Sequence, residues 1–233
     1  MTCPCKSPED TRLPTRPDTT PSSPRHQLQT RLRGLYVIFD PELTGERDPL
    51  KITRQAIEGG ARLVQYRDKL REKGVQLPIV RALQALCRQH GALFFVNDHV
   101  DLALAIGADG VHLGQRDLPV SVVRNIVPPQ MLIGCSTNNP DEARLAEAAG
   151  ADYISVGRLF PTESKVDTRP ATLDTLRNVK STVSVPVCAI GGINPSNIDD
   201  VIEAGADMAA VISAIVLADD VREAAKRLAA RFG

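Results

Sequence analysis

The chain has 233 residues, of which 42% are hydrophobic, and its 28 Lys and Arg balance 28 Asp and Glu. This composition suffices for one sizeable core, and the balanced charge excludes the basic surface of a nucleic-acid-binding protein. There is no apolar run near the roughly 18 residues that a membrane span requires, and no apolar core of a secretory signal. The five scattered cysteines are typical of free thiols, so we expect a cytoplasmic protein without nucleic-acid or membrane partners.

The first 29 residues are rich in Pro, Ser and Thr and have almost no apolar side chains. Such a segment buries too little apolar surface to offset the entropy lost on ordering. We therefore predict that residues 1–29 are disordered and that residues 30–233 form one folded domain. A transit peptide is a weaker alternative, because Glu9, Asp10 and Asp18 are acidic and transit peptides are poor in acids.

From Gly34 onward, short runs of strand-forming residues alternate with longer amphipathic segments. The eight predicted strands are 35–39, 63–66, 93–96, 110–113, 131–135, 153–156, 186–190 and 208–212. The predicted helices between and after them include 76–88, 140–149 and 220–231. Eight strand–helix units within about 200 residues indicate a closed (β/α)8 TIM barrel rather than an open doubly wound sheet.

A short repeat supports closure of the barrel. Gly-Ala followed by Arg or Asp occurs at 60–62, 107–109, 150–152 and 205–207, each time before an even-numbered predicted strand. A nearly constant spacing of two strand–helix units is expected of a barrel built from four similar quarters. The alternative is that this tripeptide is only a common way to end a helix, since glycine often terminates helices.

Residues 94–117 contain two predicted strands, each followed by an aspartate. The first strand ends before Asp98, a helix spans 100–106 and ends at Gly107, and the second strand precedes Asp117. The two strands of such a unit are parallel, so both acids follow carboxyl ends on the same side of the sheet. We therefore expect Asp98 and Asp117 to converge on one cation. The alternative is that each aspartate caps the following helix.

Cationic side chains follow the second predicted strand. Gln65, Arg67 and Lys69 alternate onto one side of an extended segment. With Lys165 after the sixth strand and the two aspartates, they suit a diphosphate held by Mg²⁺, which takes oxygen ligands. The alternative is that the cations are ordinary surface charges.

A second phosphate site is predicted at the last two strands. Gly191 and Gly192 follow the seventh strand and Ser213 follows the eighth. Barrels of this class often bind one phosphate there through main-chain N–H groups. A glycine pair alone is a weak signal, and the neighbouring hydroxyl strengthens it. His112 lies within a strand, and we predict a hydrogen-bonded interior histidine rather than a ligand.

These motifs, in this order, resemble the thiamine phosphate synthase family. The resemblance extends from about Leu35 to Val216. Its motifs are Q-Y-R-D-K at 65–69, V-N-D at 96–98, G-V-H-L-G-Q-R-D at 110–117, G-C-S at 134–136, P-T-E-S-K at 161–165, and A-I-G-G-I with V-I-S-A-I near the end. Ser164 stands where the family usually has Thr, which retains the hydroxyl.

The resemblance implies a set of site residues. Those implied for hydroxymethylpyrimidine diphosphate are Gln65, Tyr66, Arg67, Asp68, Lys69, Asn97, Ser136 and Lys165. Those implied for the thiazole phosphate are Thr162, Glu163, Ser164, Gly192, Ile212 and Ser213. Asp98 and Asp117 are implied as Mg²⁺ ligands, and Arg67, Lys69 and Lys165 as the catalytic cations.

The implied reaction joins these two phosphorylated small molecules. Diphosphate departs from the pyrimidine methylene, and the thiazole nitrogen captures the resulting carbocation, so no protein nucleophile is needed. The sequence leaves the oligomeric state open, and a homo-oligomer is compatible with it. We further expect residues 160–168 to form a lid, because this segment is long and polar.

Three other functions remain open at this point. A thiazole tautomerase of the same fold is expected to carry a histidine soon after Ser136, where this chain has Thr137, Asn138 and Asn139. A phosphate-binding barrel that acts as a sensor would not need the aspartate pair. An epimerase or indole-type synthase would need acid and base carboxylates at the first two strands, where Asp40 and Glu42 have no evident partner.

Overall fold

The computed structural model describes residues 23–162 and 169–233. Eight parallel strands form a closed barrel in sequence order. They are β1 (Gly34–Phe39), β2 (Leu63–Tyr66), β3 (Leu93–Asn97), β4 (Gly110–Leu113), β5 (Leu132–Thr137), β6 (Tyr153–Val156), β7 (Val187–Ile190) and β8 (Met208–Val211). The pairing of β1 with β8 closes the ring. The predicted TIM barrel is therefore confirmed, and every predicted strand agrees within two residues at either end.

Helices follow the strands around the barrel. They are α1 (Pro24–Gln29), α2 (Pro41–Thr44), α3 (Pro49–Glu58), α4 (Lys73–Gln89), α5 (Val100–Ile106), α6 (Val120–Ile126), α7 (Pro140–Ala148), α8 (Leu173–Thr182), α9 (Ile198–Glu203), α10 (Ser213–Val216) and α11 (Val221–Ala229), which continues into a 3-10 turn (Ala230–Phe232). Side-chain caps start several of them, for example Asn139, which accepts from the Glu142 N–H at 2.9 Å. In the part of the chain that the structure describes, no helix has the length and apolar character needed to cross a membrane.

The Gly-Ala-Asp repeat has a structural role in the barrel. All four of its glycines have positive φ, including 62° at Gly107, as expected of helix ends. The aspartates at 109, 152 and 207 each accept a hydrogen bond from the main-chain N–H of the preceding odd-numbered strand, at 2.8, 2.7 and 2.7 Å. The repeat therefore ties strands together in pairs, which explains an acid at its third position.

Aromatic side chains fill the middle of the barrel. The ring of Phe95 lies 5.6 Å from the rings of both Tyr36 and Tyr153, measured between centroids. A side chain at Gly110 would overlap the Phe95 ring, and one at Gly134 would overlap the Tyr153 ring. These two strand glycines therefore provide the space that the rings occupy.

Part of the segment that we predicted to be disordered is ordered. Residues 24–29 form α1, and Arg25 is only 6% exposed. Arg25 Nε donates to the Asp152 carboxylate at 2.6 Å, and Gln29 Nε2 donates to the Asp152 carbonyl at 3.2 Å. The prediction is wrong for these residues, because composition does not show that a buried carboxylate pairs with one arginine of a polar segment. Residues 1–22 lie outside the described residues.

Candidate active site

A cavity of about 710 Å³ lies at the carboxyl ends of the strands. In TIM barrels this is the face that carries the active site. The predicted site residues that line the cavity are Arg67, Lys69, Asn97, Asp98, Asp117, Ser136, Thr162, Gly192, Ile212 and Ser213. Residues from both predicted phosphate sites therefore share one cavity.

Asp98 and Asp117 meet at the ends of β3 and β4. Their carboxyl groups share a hydrogen bond, and Asp117 also accepts from the Gly114 N–H at 2.6 Å. The main-chain N–H of Asp98 donates to the His112 carbonyl at 2.9 Å. Neither acid caps the next helix, because the N-cap residues of α5 and α6 are His99 and Pro119. The structure thus brings together the two carboxylates that the strand order placed on one rim.

The two acids have different proton affinities. Burial raises the pKa of Asp117, and the hydrogen bond with Asp98 and the charge of Asp98 raise it further. Burial also acts to raise the pKa of Asp98, but the hydrogen bond with Asp117 and the Lys69 ammonium, 3.0 Å away, outweigh it, so the pKa of Asp98 is lowered. The two carboxyl groups therefore influence each other's pKa, and Lys69 favours the charged form of Asp98.

This donor set fits Mg²⁺. The ion accepts oxygen ligands and commonly uses one or two carboxylates together with water and substrate phosphate oxygens. Over residues 23–162 and 169–233, no group of three or more His, Cys, Asp or Glu is placed to hold a metal. A two-carboxylate site leaves further positions to phosphate oxygens and water.

Arg67 is held by a partner that the sequence did not reveal. Its guanidinium donates to the carboxylate of Asp40, which follows β1, and Asp40 also accepts from the Glu42 N–H at 3.1 Å. Asp40 is only 1% exposed, so the pair is shielded from water. The sequence does contain a signal for this pairing, because Asp40 directly follows the first strand and the end of β1 lies beside the end of β2.

Three residues of the Q-Y-R-D-K motif lie away from the cavity wall. The Tyr66 hydroxyl donates to Asp68 at 2.8 Å, and Asp68 also accepts from the main-chain N–H groups of Leu70 and Arg71, both at 3.0 Å. These bonds shape the turn after β2. Gln65 points into the barrel, where its Nε2 donates to the Tyr36 hydroxyl at 2.7 Å. None of the three is among the described residues that line the cavity.

His112 has the interior environment that we predicted. It is 7% exposed, with Nδ1 2.9 Å from the Tyr153 hydroxyl and Nε2 2.9 Å from the Ser136 hydroxyl. The prediction of a hydrogen-bonded interior histidine is confirmed. His112 also lines the cavity beside Ser136, so it belongs to the site.

The wall formed by β7 and β8 presents main-chain groups. Gly192 has a φ of 67°, and a Cβ there would lie 2.6 Å from the Pro161 carbonyl oxygen. The Asn194 and Asn197 side chains both donate to the Gly192 carbonyl, at 3.1 and 3.0 Å. No described group accepts a hydrogen bond from the N–H of Gly192 or of Ser213. These two donors are available to an anion.

Two arginines after β6 were missed by the sequence analysis. Arg158 lines the cavity, and a Cβ on Gly191 would lie 2.5 Å from its Cβ. Arg169 also lines the cavity and makes two bonds to Glu142, at 2.9 and 2.8 Å. The sequence signal for Arg158 was its position directly after Gly157, at the carboxyl end of β6. The predicted site residues Glu163, Ser164 and Lys165, and 163–168 of the predicted lid, lie outside the described residues.

The family profile described as "Thiamine monophosphate synthase" matches residues 35–215. The thiamine-phosphate synthase of Methanospirillum hungatei is 45% identical over 197 residues, covering 84% of this chain and 96% of that protein. That of Moorella thermoacetica is 46% identical over 195 residues, covering 83% and 93%. The solved thiamine phosphate pyrophosphorylase from Pyrococcus furiosus superimposes with a TM-score of 0.81 at 42% identity, covering 88% of this chain and 97% of that one. The resemblance is confirmed, and the chain belongs to the thiamine monophosphate synthase family.

Proposed function

We propose that this chain is a thiamine phosphate synthase. It joins hydroxymethylpyrimidine diphosphate to hydroxyethylthiazole phosphate and releases diphosphate. One observation carries the proposal: a single cavity of about 710 Å³ has an acidic and cationic wall at Asp98, Asp117 and Lys69 and a main-chain N–H wall at Gly192 and Ser213. The two walls suit a metal-bound diphosphate and a monophosphate, and the names of the relatives support the same reaction.

The wall at β2 to β5 serves the diphosphate. When bound between Asp98 and Asp117, Mg²⁺ supplies positive charge that stabilises the leaving diphosphate. Lys69 adds its ammonium, and Arg67, oriented by Asp40, adds its guanidinium. Lys165 is proposed as a third cation.

Two polar groups lie near these cations. The Asn97 amide and the Ser136 hydroxyl line the same part of the cavity and are proposed to hold the pyrimidine substrate. Gln65 is proposed to contact the pyrimidine from the barrel interior. Its Oε1 is buried and has no hydrogen-bond partner among the described residues, which supports this role.

The wall at β7 and β8 serves the thiazole phosphate. The N–H groups of Gly192 and Ser213 donate to the phosphate oxygens. Thr162 lines the cavity, and Glu163 and Ser164 are proposed, from the family motif, to bind the thiazole phosphate as well. Both substrates are thereby held in one cavity, which replaces an encounter in solution by a fixed orientation.

The reaction needs no nucleophile from the protein. The methylene C–O bond of the pyrimidine breaks with both electrons going to diphosphate, and the thiazole nitrogen lone pair forms the new C–N bond. Burial raises the pKa of the Cys135 thiol to about 11, so this neighbour of Ser136 stays a thiol. Ile190, Ile193 and Ile212 line the cavity and limit the water that could otherwise capture the carbocation.

A thiazole tautomerase is not favoured. The position expected to carry its histidine falls near Asn138, whose side-chain amide donates to the carbonyls of Gly157 and Arg169, both at 2.9 Å. That side chain serves to hold the ends of a loop. A tautomerase would also have no use for the paired aspartates and the cations at the ends of β2 to β4.

The proposal includes a homo-oligomer in the cytoplasm. Leu118, Val122 and Ile126 are 52%, 44% and 53% exposed and lie four residues apart in and just before α6, which supports packing against a second copy. Among the described residues, Cys87, Cys135 and Cys188 are buried and form no disulfide, which supports a reducing compartment.

One experiment tests the proposed reaction. The purified chain is mixed with Mg²⁺ and both phosphorylated precursors, and thiamine phosphate and inorganic diphosphate are quantified. We expect the two products in equal amounts, with loss of activity on chelation and recovery on adding Mg²⁺. Failure to form thiamine phosphate from intact precursors would overturn the proposal, and activity that persists in excess chelator would overturn the metal's part in it.

A further inference from the structure

A continuous line of hydrogen bonds crosses the barrel interior. It runs from Gln65 Nε2 to the Tyr36 hydroxyl at 2.7 Å, and from there to the Tyr153 hydroxyl at 3.1 Å. It continues to His112 Nδ1 at 2.9 Å and from His112 Nε2 to the Ser136 hydroxyl at 2.9 Å. Tyr36 and Tyr153 are 1% and 0% exposed, so the line is sealed from water until it reaches the cavity.

Each member of this line has few protons to give, which fixes the order of donation. Burial raises the pKa of both Tyr36 and Tyr153, so each hydroxyl keeps its single proton. The Gln65 amide donates to Tyr36, so the buried Tyr36 proton has the Tyr153 hydroxyl as its acceptor, and this direction leaves no O–H of the line unpaired. Tyr153 then donates to Nδ1 of His112. A neutral imidazole that accepts at Nδ1 carries its proton on Nε2.

The opposite order has a different consequence at the cavity. If the Gln65 amide were turned over, its Oε1 would accept from Tyr36 and every later bond would reverse. His112 would then carry its proton on Nδ1, and Ser136 would donate to the imidazole. Ser136 would offer only lone pairs to the cavity. Ionised phosphate oxygens accept hydrogen bonds and do not donate them, so this order could not serve a diphosphate.

We propose that Tyr153 is a positioning residue that holds His112 as the tautomer protonated on Nε2. The Ser136 hydroxyl then accepts a hydrogen bond from His112 and donates one to the diphosphate substrate. This inference rests on the proposed function, which supplies the acceptor. Tyr36 and Gln65 set the direction behind Tyr153. Tyr36 and Tyr153 act through His112 and do not contact the substrate, whereas Gln65 donates to Tyr36 through Nε2 and keeps Oε1 for the pyrimidine.

The packing around Tyr153 fixes the place of its hydroxyl. Its ring occupies the space above Gly134, which lies two residues before Ser136 on β5. The same ring meets Phe95 edge to face, with an interplanar angle of 87°, and stacks on His112 at 5.6 Å between centroids. A ring confined on three sides cannot turn its hydroxyl away from Nδ1 without displacing a strand.

The test removes one hydroxyl and keeps the ring. In Tyr153→Phe we expect the KM for the pyrimidine diphosphate to rise by the reciprocal of the fraction of His112 that stays protonated on Nε2, about twofold for an equal mixture. The KM for the thiazole phosphate should stay unchanged. Nitrogen-15 NMR of histidine-labelled protein should show His112 protonated on Nε2 in the parent and a mixture of tautomers in the variant. His112→Gln identifies the resonance among the four histidines.

Two further variants separate positioning from packing. Tyr36→Phe breaks the same line one step earlier and should shift the tautomer and the KM in the same direction by less. Phe95→Leu removes packing against both tyrosine rings but no hydrogen bond, so it should lower the melting temperature and leave the tautomer unchanged. If Tyr153→Phe does not fold, Tyr36→Phe decides the question.

The outcomes distinguish this inference from the proposed function. A parent protein with His112 protonated on Nδ1 overturns the inference, and so does a folded Tyr153→Phe with unchanged tautomer and KM. A parent protein that forms no thiamine phosphate but holds the Nε2 tautomer overturns the proposed function, because the tautomer is measured without substrate.

Discussion

The wall of the cavity at β2 to β4 and the wall at β7 and β8 are built from different parts of the chain. The first consists of charged side chains, Asp98, Asp117, Arg67 and Lys69. The second consists largely of main-chain groups around Gly192 and of Ser213. A wall of side-chain charges depends on ionisation and, in the proposed function, on a metal. A wall of N–H groups depends on how closely the backbone segments approach. In the proposed reaction, the first wall stabilises the diphosphate as it leaves the pyrimidine. The second wall only holds the phosphate of the thiazole in place.

The largest effect is expected from the charged wall. Asp98→Asn should lower Mg²⁺-dependent turnover by about 100-fold or more, because one of two carboxylate ligands loses its charge. The fold should persist, since Asp98 has a φ of 61° and Asn tolerates this conformation as well as Asp does. Steady-state rates at increasing Mg²⁺ measure the effect.

Asp101→Asn is the matched control for that change. Asp101 lies three residues further along, is exposed and pairs with Lys73 at 2.7 Å, away from the cavity. Its substitution should leave turnover within about twofold of the parent. Near-normal turnover in Asp98→Asn would show that the aspartate pair does not hold a catalytic metal.

An intermediate effect is expected from the main-chain wall. In Gly192→Ala the new Cβ would lie 2.6 Å from the Pro161 oxygen and 2.8 Å from the Phe160 Cβ, so the loop must move. We expect the KM for the thiazole phosphate to rise about 10-fold, as for one lost hydrogen bond to a charged group, with little change in that for the diphosphate. Initial rates with each substrate varied in turn measure the difference.

Gly45→Ala controls for backbone strain. Gly45 also has positive φ, 57°, but its Cβ would meet nothing within 4 Å. Both variants carry the cost of this conformation, and only Gly192→Ala adds the steric conflict. Equal KM values for the thiazole phosphate in the two variants would argue against a phosphate site at Gly192.

The smallest effect is expected from the ion pair between Glu142 and Arg169, of which Arg169 lines the cavity. The hydrogen bond from Arg169 lowers the pKa of Glu142. The stability from this pair is therefore present above the ordinary pKa of the carboxyl group, 4.5, and is lost as the pH falls through the lowered value. Because Arg169 is mostly exposed, the contribution should stay under about 1 kcal/mol.

Melting temperatures of the parent and Glu142→Gln measure this contribution as a function of pH. The parent should melt slightly higher at neutral pH, and the difference should shrink on acidification below pH 4.5. Glu142→Gln should change the KM values for both substrates equally. A change in the KM for only one substrate would indicate that the contact between Glu142 and Arg169 supports only that substrate's part of the cavity.

The sequence was sufficient for features that follow from periodicity and strand direction. Alternating patterns determine the eight strands, and the parallel arrangement of successive strands puts Asp98 and Asp117 on one rim. The alternation that put Arg67 and Lys69 on one side of the segment after β2 also puts Tyr66 and Asp68 on the other. That consequence follows from the sequence, although the family motif includes all five residues of this segment.

Other features depend on contacts between distant residues. Tyr36 and Tyr153 are 117 residues apart and meet only because the barrel closes. The pairing of Arg67 with Asp40 depends on the register between β1 and β2. Such contacts have no local pattern, so the interior hydrogen-bond line and the orientation of Arg67 could be known only from the structure.

The short helix α1 is anchored at the amino-terminal end of β6, on the face of the barrel opposite the cavity, through Arg25 and Gln29. Asp152, with no exposed surface, holds Arg25 of this helix together with Arg124. A protein cleaved within its first 30 residues would keep the cavity at the carboxyl ends of the strands. It would lose the pairing of Arg25 with Asp152, and water would reach that side of the Asp152 carboxylate. We expect such cleavage to leave the reaction rate at moderate temperature unchanged and to lower the melting temperature.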